Sequence, residues 1–437
     1  MKTEFDCVIV GGGPAGMAAA VELASRGVSD ILLVDRNPAL GGILNQCIHP
    51  GFGLERYGRD LTGPECAAAM VEEFGASGAT ALLGSMVLGI SADRIVSLIS
   101  PEAGYLRIRA KAVLVATGCR ERTRENLEVG GTRPTGVFTA GQAQNLVNLR
   151  GYRIGERVVV QGSGDIGLIM ARRMSILGAR VECVLERLPY LSGLLRNKVQ
   201  CLDHFGIPLR FHTQIREIRG YPRVEGVVVE EVDACFKPIP GSEAFISCDT
   251  VLFSVGLIPE VDILKEAGLS PPLGGSVLVN SAFETSRRGI FVCGNALHIH
   301  DLADNAAKEG ALAARAAAAY ISSPDSFAES LEDRLPYSPI KPNTRYDEAF
   351  FKRLAASKAK VCIVCPKGCM VTEGKGGCPK GPAYYAEAEK GSFQVLTATA
   401  WSSAGGKRKR IPLRTEGPVD VRKLESELRA LRLSAHA

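Results

Sequence analysis

Residues 5–36 read FDCVIVGGGPAGMAAAVELASRGVSDILLVDR, the stretch that decides the fold. An apolar strand leads into a glycine-rich turn, a helix follows, and a second apolar strand ends at Asp35. Gly11 permits the tight bend, Gly13 lets the backbone approach a pyrophosphate, and Gly16 lets the helix pack closely on the strand. The helix N-terminus offers free N–H groups and partial positive charge to phosphate oxygens. The pattern therefore predicts a dinucleotide site, in which Asp35 accepts hydrogen bonds from ribose hydroxyls.

The same pattern returns at residues 157–187, which read RVVVQGSGDIGLIMARRMSILGARVECVLER. A shift of 151 positions superposes the glycines and the terminal acid of the two copies, here Gly162, Gly164, Gly167 and Glu186. Two complete copies predict two dinucleotide sites on parallel sheets with helices on both faces. Two such sites imply an exchange between two cofactors, a flavin bound first and a nicotinamide second. Glu186 favours NAD(H), because a carboxylate repels a 2′-phosphate, whereas Arg187 keeps NADP possible.

Three later segments each carry an apolar strand into a glycine turn: AKAVLVATGCRER (110–122), CDTVLFSVGLIPE (248–260) and GIFVCGNALHIHDLADNAAKEGALAARAAAA (289–319). Together with the two motifs they resemble the two-domain flavoprotein pyridine-nucleotide oxidoreductases. The resemblance implies that Gly118 packs by the flavin nucleotide and that the Gly294 turn reaches the ribityl chain. The helix after that turn would point its positive end at the isoalloxazine ring. That family usually has Asp after the glycine, and Asn295 here can still bond a ribityl hydroxyl.

The motifs and the resemblance give two sets of binding residues. The residues predicted to bind FAD are Gly11, Gly13, Pro14, Ala15, Gly16, Asp35, Arg36, Gly42, Ala116, Thr117, Gly118, Gly294 and Asn295. The residues predicted to bind NAD(P) are Gly162, Gly164, Asp165, Ile166, Gly167, Glu186, Arg187 and Gly256.

The predicted fold class is α/β, with two Rossmann-like three-layer domains and a small cysteine-rich C-terminal domain that contains a β-hairpin and a helix. The predicted limits are 1–150 and 248–325 for a split FAD domain, 151–247 for an inserted NAD(P) domain, 326–350 for a linker and 351–437 for the C-terminal domain. The hairpin is predicted in FQVLTATAWSSAGGKRKRIPLRT and the helix at 419–433.

Cys47 is the thiol that the resemblance places near the flavin. Disulfide reductases of this superfamily have two cysteines about five residues apart at this place, but residues 43–46 contain none. A dithiol mechanism therefore fails, and Cys47 acts alone as a sulfenate or charge-transfer thiolate, or is inert. His49, His298 and His300 are predicted on the flavin side as proton donors or as ordinary loop residues. The predicted catalytic residues are Cys47, His49, His298 and His300.

The chain more closely resembles one subgroup of FAD-dependent oxidoreductases. The segments that carry this resemblance are GGILNQCIH (41–49), GFGL (51–54) and LTGPE (61–65). Members of that subgroup often accompany an anaerobic-type glycerol-3-phosphate dehydrogenase and a small cysteine-rich protein. The resemblance implies a substrate dehydrogenase as partner and a hetero-complex or oligomer.

Four cysteines of the tail are predicted to bind a metal: Cys362, Cys365, Cys369 and Cys378. The first three form C-x₂-C-x₃-C, which resembles the N-terminal cluster domain of molybdopterin oxidoreductases, and CPKG (378–381) resembles its completing cysteine. The tail also resembles the small cysteine-rich partner of the flavoprotein subgroup. A [4Fe–4S] cluster, zinc and disulfides all remain open, because an all-cysteine set suits either metal.

The composition limits the partners and the location that can be expected for the chain. The net charge of +5 over 437 residues is too small to indicate a nucleic-acid partner. No run of 18 apolar residues and no leader is visible, so the sequence predicts no transmembrane segment and a cytoplasmic protein with free thiols.

The leading functional hypothesis is an FAD-dependent NAD(P)H oxidoreductase that exchanges electrons with a partner dehydrogenase through the C-terminal metal centre. One alternative is a stand-alone NADH oxidase that uses Cys47. Another is a zinc-stapled scaffold or redox-sensing subunit without turnover.

Overall fold

A computed structural model describes residues 2–233, 235–271, 275–280 and 282–327, and the backbone of five strands between residues 336 and 413. Of the four tail cysteines, Cys362 falls on one of those strands, while Cys365, Cys369 and Cys378 lie outside the described residues. The helix predicted at 419–433 also lies outside them.

The strands up to residue 292 are, in chain order, β1 Glu4–Val10, β2 Ile31–Val34, β3 Pro50–Phe52, β4 Leu61–Thr62, β5 Thr80–Leu82, β6 Met86–Ile90, β7 Ile95–Ser100, β8 Gly104–Val115, β9 Cys119–Glu121, β10 Gly130–Gly131, β11 Val137–Thr139, β12 Arg157–Gln161, β13 Arg180–Leu185, β14 Leu209–Arg210, β15 Thr213–Arg219, β16 Gly226–Glu231, β17 Ala244–Ser247, β18 Thr250–Phe253, β19 Leu257–Pro259, β20 Val279–Asn280 and β21 Ile290–Val292. The later strands are β22 Pro336–Pro339, β23 Lys360–Ile363, β24 Ala383–Glu389, β25 Ser392–Ser402 and β26 Lys409–Leu413.

The α-helices are α1 Pro14–Ser25, α2 Leu54–Tyr57, α3 Gly63–Ala76, α4 Ala140–Asn148, α5 Asp165–Ile176, α6 Leu195–Cys201 and α7 Ala303–Ser322. Short 3₁₀ helices occupy Gly42–Gln46, Arg124–Leu127, Asp203–Phe205, Asp262–Ala267 and Gly294–Ala296. Local sequence explains several starts: Pro14 opens α1, and Thr62 with Glu65 forms a capping box at α3.

The first large sheet has the order β5-β2-β1-β8-β7-β6, and β21 also pairs with β8. Its β5, β2, β1, β8 and β21 strands run parallel, whereas β7 joins β8 antiparallel. Parallel strands end at one edge, so the segments after Val10, Val34, Val115 and Val292 meet there. This edge carries the predicted FAD residues.

The second large sheet is parallel throughout, in the order β11-β18-β12-β13-β14. A smaller sheet has the order β10-β15-β16-β17, and its strands alternate along the chain with those of the second large sheet. The first sheet is mixed and the second is parallel, and each contains a strand–glycine turn–helix unit. This architecture confirms the predicted α/β class.

The second sheet includes strands on both sides of residues 151–247, the range predicted for the inserted domain. β11 at 137–139 pairs with β18 at 250–253, and β18 pairs with β12. Parallel pairing, which sequence patterns do not reveal, therefore places both flanking strands in the second sheet.

Helices α1 and α7 pack closely on one face of the first sheet. A Cβ at Gly310 would lie 2.1 Å from the Ala15 carbonyl oxygen, so only glycine permits this approach. The buried face of α7 is mostly alanine, including Ala313, Ala314 and Ala317. Small side chains thus bring α7 against the helix that follows the first glycine turn.

The C-terminal strands form a sheet with β20, in the order β20-β22-β23-β24-β25-β26. The antiparallel pairing of β25 with β26, from Ala398 with Leu413 to Ser402 with Lys409, matches the predicted hairpin. Within the part of the chain that the structure describes, no helix combines the length and the apolarity needed to cross a bilayer.

Candidate functional site

The first glycine turn combines two crowded positions with one open position. Gly11 has φ +112°, and a Cβ there would lie 2.3 Å from the Ala116 carbonyl oxygen. A Cβ at Gly16 would lie 1.8 Å from the Gly11 carbonyl oxygen. At Gly13, in contrast, no atom of the described residues lies within 4 Å of such a Cβ. The turn therefore leaves open space directly before α1, whose first residues are Pro14 and Ala15.

Asp35 lies at the carboxyl end of β2, against this turn. Its Oδ2 accepts a hydrogen bond of 2.6 Å from the Gly12 N–H, and the residue is 8% exposed. The neighbouring Arg36 is exposed. Gly42 lies on the other side, where a Cβ would be 2.9 Å from the Gly13 Cα. The structure thus brings the predicted acid, the first glycine turn and Gly42 together.

The segment after β8 links the two parts of the chain. The Thr117 hydroxyl donates to the Glu260 carbonyl oxygen, and the Glu260 N–H donates to the Gly118 carbonyl oxygen at 2.9 Å. Gly118 has φ +74°, with no described atom within 4 Å of a Cβ there. Gly118 therefore faces open space, while the hydrogen bonds to Glu260 and the β9–β19 pairing fix the backbone around it.

The turn at Gly294 is held by side chains from α7 and from its own loop. The Gly294 N–H donates to Glu309 Oε1 at 2.7 Å. Asn295 Oδ1 accepts from the His300 N–H at 3.0 Å, and Asn295 Nδ2 donates to Cys119 Sγ at 3.7 Å. Asn295, which replaces the expected Asp, therefore fixes the loop through two side-chain hydrogen bonds.

His298 and His300 lie together against Glu309. His298 Nδ1 and His300 Nε2 are each 3.4 Å from Glu309 Oε2, and the two ring centroids are 4.0 Å apart. Burial lowers the pKa of His298, although the Glu309 carboxylate opposes this shift. The His298 ring is consequently neutral near pH 7, which does not favour the predicted role of proton donor.

Cys47 is buried in a polar pocket. Its Sγ donates to Gln144 Oε1 at 3.6 Å, and the residue is 3% exposed. Burial raises the pKa of the Cys47 thiol to about 12, although the hydrogen bond to Gln144 opposes this. No disulfide bond joins the cysteines of the described residues between 2 and 327. A protonated thiol is a poor nucleophile, so these surroundings disfavour the predicted redox role.

His49, two residues further on, lies apart from that pocket. Its Nδ1 is 2.9 Å from the Pro50 carbonyl oxygen, and its ring centroid is 5.1 Å from that of Phe52. These contacts are those of a residue that packs in its own loop.

The second glycine turn repeats the geometry of the first. Gly162 has φ +103°, and a Cβ there would lie 2.1 Å from the Ser254 carbonyl oxygen. A Cβ at Gly167 would lie 2.6 Å from the Gly162 carbonyl oxygen, whereas one at Gly164 has its nearest contact at 3.5 Å. Backbone N–H groups at the start of α5, near Asp165, are again placed to meet phosphates.

Glu186 lies at the end of β13, 5% exposed, and is fully hydrogen-bonded. Its Oε2 accepts from the Ser163 N–H at 3.0 Å and from the Ser192 hydroxyl at 2.9 Å, and its Oε1 accepts from the Leu188 N–H at 2.9 Å. These hydrogen bonds fix the position of the carboxylate at the end of β13.

The remaining predicted NAD(P) residues surround this acid and the turn. The Arg187 guanidinium lies over the Phe236 ring, 4.4 Å from its centroid. Gly256 is exposed, with φ +104°, and Ile166 is half-buried in the first turn of α5.

The segment after β13 covers the second turn. The Gly193 N–H donates to the Ser163 carbonyl oxygen at 2.8 Å. Asp165 Oδ1 accepts from the Leu194 N–H at 2.7 Å and from Asn197 Nδ2 at 2.8 Å. The second turn is therefore held by contacts with the segment after β13.

Sequence reasoning missed Glu309 and Gln144, which contact three of the four predicted catalytic side chains. A signal for Glu309 exists: it is a carboxylate on the alanine-rich buried face of α7, where a charge requires a partner. Gln144 gives no such signal, because its position in α4 is unremarkable without the tertiary structure.

Comparison with known proteins agrees with this geometry. A family profile described as pyridine nucleotide-disulphide oxidoreductase matches residues 5–310. Hydrogen cyanide synthase subunit HcnB of Pseudomonas protegens is 26% identical over 282 residues, 60% of this chain and 58% of that protein. Thioredoxin reductase of Treponema pallidum is 26% identical over 328 residues, 74% of this chain and 98% of that protein.

A solved structure of T. acidophilum thioredoxin reductase superposes with a TM-score of 0.61 at 26% identity, and covers 74% of this chain and 100% of that chain. The chain thus spans less than two thirds of HcnB and nearly all of the thioredoxin reductases.

Proposed function

Because the chain belongs to the pyridine nucleotide-disulphide oxidoreductase family and is an FAD-dependent NAD(P)H oxidoreductase, we propose that it exchanges a hydride with NAD(H) and passes the electrons to a partner protein. The observation that supports electron transfer to a partner protein is the burial and protonation of the Cys47 thiol. This thiol is buried and protonated, and residues 43–46 offer no second cysteine. A dithiol relay of the disulfide-reductase type therefore has no support at this place.

FAD fits the first turn. The open space at Gly13 admits a pyrophosphate, the start of α1 offers N–H donors, and Asp35 is fixed at the strand end for the ribose. The Gly294 turn and Gly118 would hold the rest of the flavin. Bound flavin supplies the ability to accept a hydride and release single electrons.

NAD(H) fits the second turn better than NADP(H). Glu186 is held by hydrogen bonds from the Ser163 and Leu188 N–H groups at the place where a ribose is recognised, and a carboxylate at this place repels a 2′-phosphate. Arg187, the residue that would attract a 2′-phosphate, lies over Phe236. NADPH remains the alternative donor.

A variant tests this choice of nucleotide. Glu186→Gln removes the negative charge and keeps the size, so the ratio of kcat/KM for NADH to that for NADPH should fall at least about tenfold, a change of about 1.4 kcal/mol. Steady-state kinetics with both nucleotides measures it, with Arg187→Gln as the matched control. An unchanged ratio would remove Glu186 from nucleotide selection.

The electron acceptor is proposed from the tail and from the relatives. We assign a [4Fe–4S] cluster, with zinc as the alternative, to Cys362, Cys365, Cys369 and Cys378. The name of HcnB describes a subunit, which supports a hetero-complex. A substrate dehydrogenase, of the glycerol-3-phosphate type, is the proposed partner. The domain limits 1–150 with 248–325, 151–247, 326–350 and 351–437 belong to the same proposal, except that β11 and β18 join the sheet of the second domain.

One preparation tests the whole proposal. Protein purified without oxygen should contain FAD, iron and acid-labile sulfide, and NADH should bleach its flavin absorption. Replacing the four tail cysteines by Ser should abolish the iron but leave bleaching by NADH intact. Cys47→Ser should leave both intact. Zinc in place of iron would exclude the electron path through the tail, and loss of NADH bleaching in Cys47→Ser would favour thiol chemistry.

A further inference from the structure

We propose that His298, His300 and Glu309 form a binding site for one divalent transition-metal ion of the zinc type. The site uses none of the tail cysteines as ligands and does not depend on the proposed electron path. Each of the three residues offers one ligand atom, and these atoms lie within 4.8 Å of one another.

The two imidazole nitrogens that face Glu309 are unsatisfied. His298 Nδ1 and His300 Nε2 are buried, and neither has a hydrogen-bond partner among the described residues. Buried polar atoms in native proteins nearly always have a partner, so two adjacent exceptions require an explanation. A metal ion accounts for both at once, because each nitrogen would donate its lone pair to it.

The distances suit a tetrahedral ion. Metal–nitrogen and metal–oxygen bonds of about 2.0–2.1 Å place neighbouring tetrahedral ligands about 3.3–3.4 Å apart. Both nitrogens are 3.4 Å from Glu309 Oε2. Two imidazoles and one carboxylate are also the ligand set of three-ligand zinc sites, which keep a fourth position for an oxygen ligand such as water.

The charge and the accessibility of the cluster fit as well. The buried Glu309 carboxylate is 10% exposed and would neutralise part of the charge of the ion. An ion can enter from the His298 side, since that side chain is 27% exposed.

The ligands are oriented by further contacts. Glu309 uses its other oxygen, Oε1, to accept from the Gly294 N–H, and the His300 N–H donates to Asn295 Oδ1. Such outer contacts fix the direction of metal ligands. They also connect the ion to the Gly294 turn, which would contact bound FAD.

Zinc stoichiometry tests the site in the full chain. Chelator-treated protein is equilibrated with ZnCl₂, freed of excess metal and analysed by mass spectrometry for zinc per chain. Glu309→Gln and His300→Gln should each hold one zinc fewer than the native protein. His204→Gln, a histidine outside the cluster, should hold the native number. Variants that keep the native number would overturn the proposal.

A second measurement avoids any dependence on how those variants fold. The protein whose four tail cysteines are replaced by Ser still has His298, His300 and Glu309. It should bind one zinc, and X-ray absorption should show only N/O ligands at about 2.0–2.1 Å, without sulfur at about 2.3 Å. Its melting temperature should rise with added Zn²⁺. Failure to bind zinc would overturn the proposal and leave the three side chains as a histidine–carboxylate contact without a metal.

Discussion

At the scale of single residues, the glycines of the two turns are required for different reasons. Gly11 and Gly162 have positive φ and stand against carbonyl oxygens of neighbouring strands, so the fold itself demands them. Gly13 has neither constraint, since its φ is −81° and its surroundings are open among the described residues. Its absence of a side chain is thus explained by a ligand and not by packing.

We therefore expect Gly13→Ala to separate folding from cofactor binding. The melting temperature of the cofactor-free protein should stay within about 2 °C of native, because surface changes cost little. Affinity for FAD should fall at least about tenfold, or about 1.4 kcal/mol, since the new methyl occupies the space for the pyrophosphate. Fluorescence titration with FAD measures the affinity.

Gly75→Ala, an exposed helical glycine with no described atom within 4 Å, is the matched control for that substitution. It should retain native FAD affinity and stabilise α3 by about 0.5–1 kcal/mol. Equal FAD affinity in Gly13→Ala and Gly75→Ala would contradict the assignment of this turn to FAD.

The raised pKa of Cys47 predicts a pH dependence. Its folded pKa of about 12 lies above that of a free thiol, so the thiol favours the folded state fully below the unfolded pKa of about 8.5. That contribution is lost as pH rises from there towards the folded value. At pH 8, iodoacetamide should label exposed Cys235 and leave Cys47 unlabelled, as read by peptide mass spectrometry. Rapid labelling of Cys47 in the native protein would contradict its burial.

Much of the site could be predicted from sequence at this scale, and its limits are physical. Gly11, Gly16 and Asp35 can be predicted from the sequence pattern, because the geometry of the turn dictates their residue types. Glu309 could not be assigned to His298 and His300, since only the packing of α7 on the Gly294 turn brings them together. The reason is that side-chain partners from separate elements depend on tertiary contacts, which local patterns do not encode.

At the scale of elements, the pair α1 and α7 controls the shape of the first site. α7 approaches through Gly310, whose Cα faces the Ala15 carbonyl in the first turn of α1. The same helix supplies Glu309 to the Gly294 turn. Displacing α7 therefore shifts both α1, whose N-terminus offers the N–H donors for phosphate, and the Gly294 turn.

Gly310→Ala should consequently destabilise the protein by about 1–3 kcal/mol, because the added methyl would lie 2.1 Å from backbone oxygen and must force the helices apart. Lys308→Ala, on the exposed face of the same helix and lacking only the surface ion pair with Glu55, should cost less than about 1 kcal/mol. Urea unfolding monitored by circular dichroism compares them. Equal losses would mean that α1 and α7 do not need this close approach.

At the scale of the whole molecule, a polar junction joins the two sheets. Gln46, which follows the first sheet's β2, donates from Nε2 to the Gly141 carbonyl oxygen at 2.9 Å and to Gln144 Oε1 at 3.0 Å. Asn148 Nδ2 donates to the Gln46 carbonyl oxygen at 2.9 Å. These partners lie on α4, which follows β11 of the second sheet. The sequence did not indicate this junction, because uncharged amides occur anywhere on helices.

A double-mutant cycle should detect the junction. Gln46→Ala and Gln144→Ala should each destabilise the protein, and their combined effect should be smaller than the sum by about 0.5–3 kcal/mol, as expected for residues in one hydrogen-bonding network. Denaturant unfolding of the four proteins provides the free energies. Strict additivity would show that the two amides act independently.

The pairing of β21 with β8 has a consequence for the order of assembly during synthesis. Residues 290–292 complete a sheet whose partner strand, at 113–115, leaves the ribosome much earlier. Every strand of the second sheet lies between 137 and 253 and is therefore made before β21. Domains generally fold as units during translation. The nascent chain can thus finish its second sheet while the first still waits for its last strand.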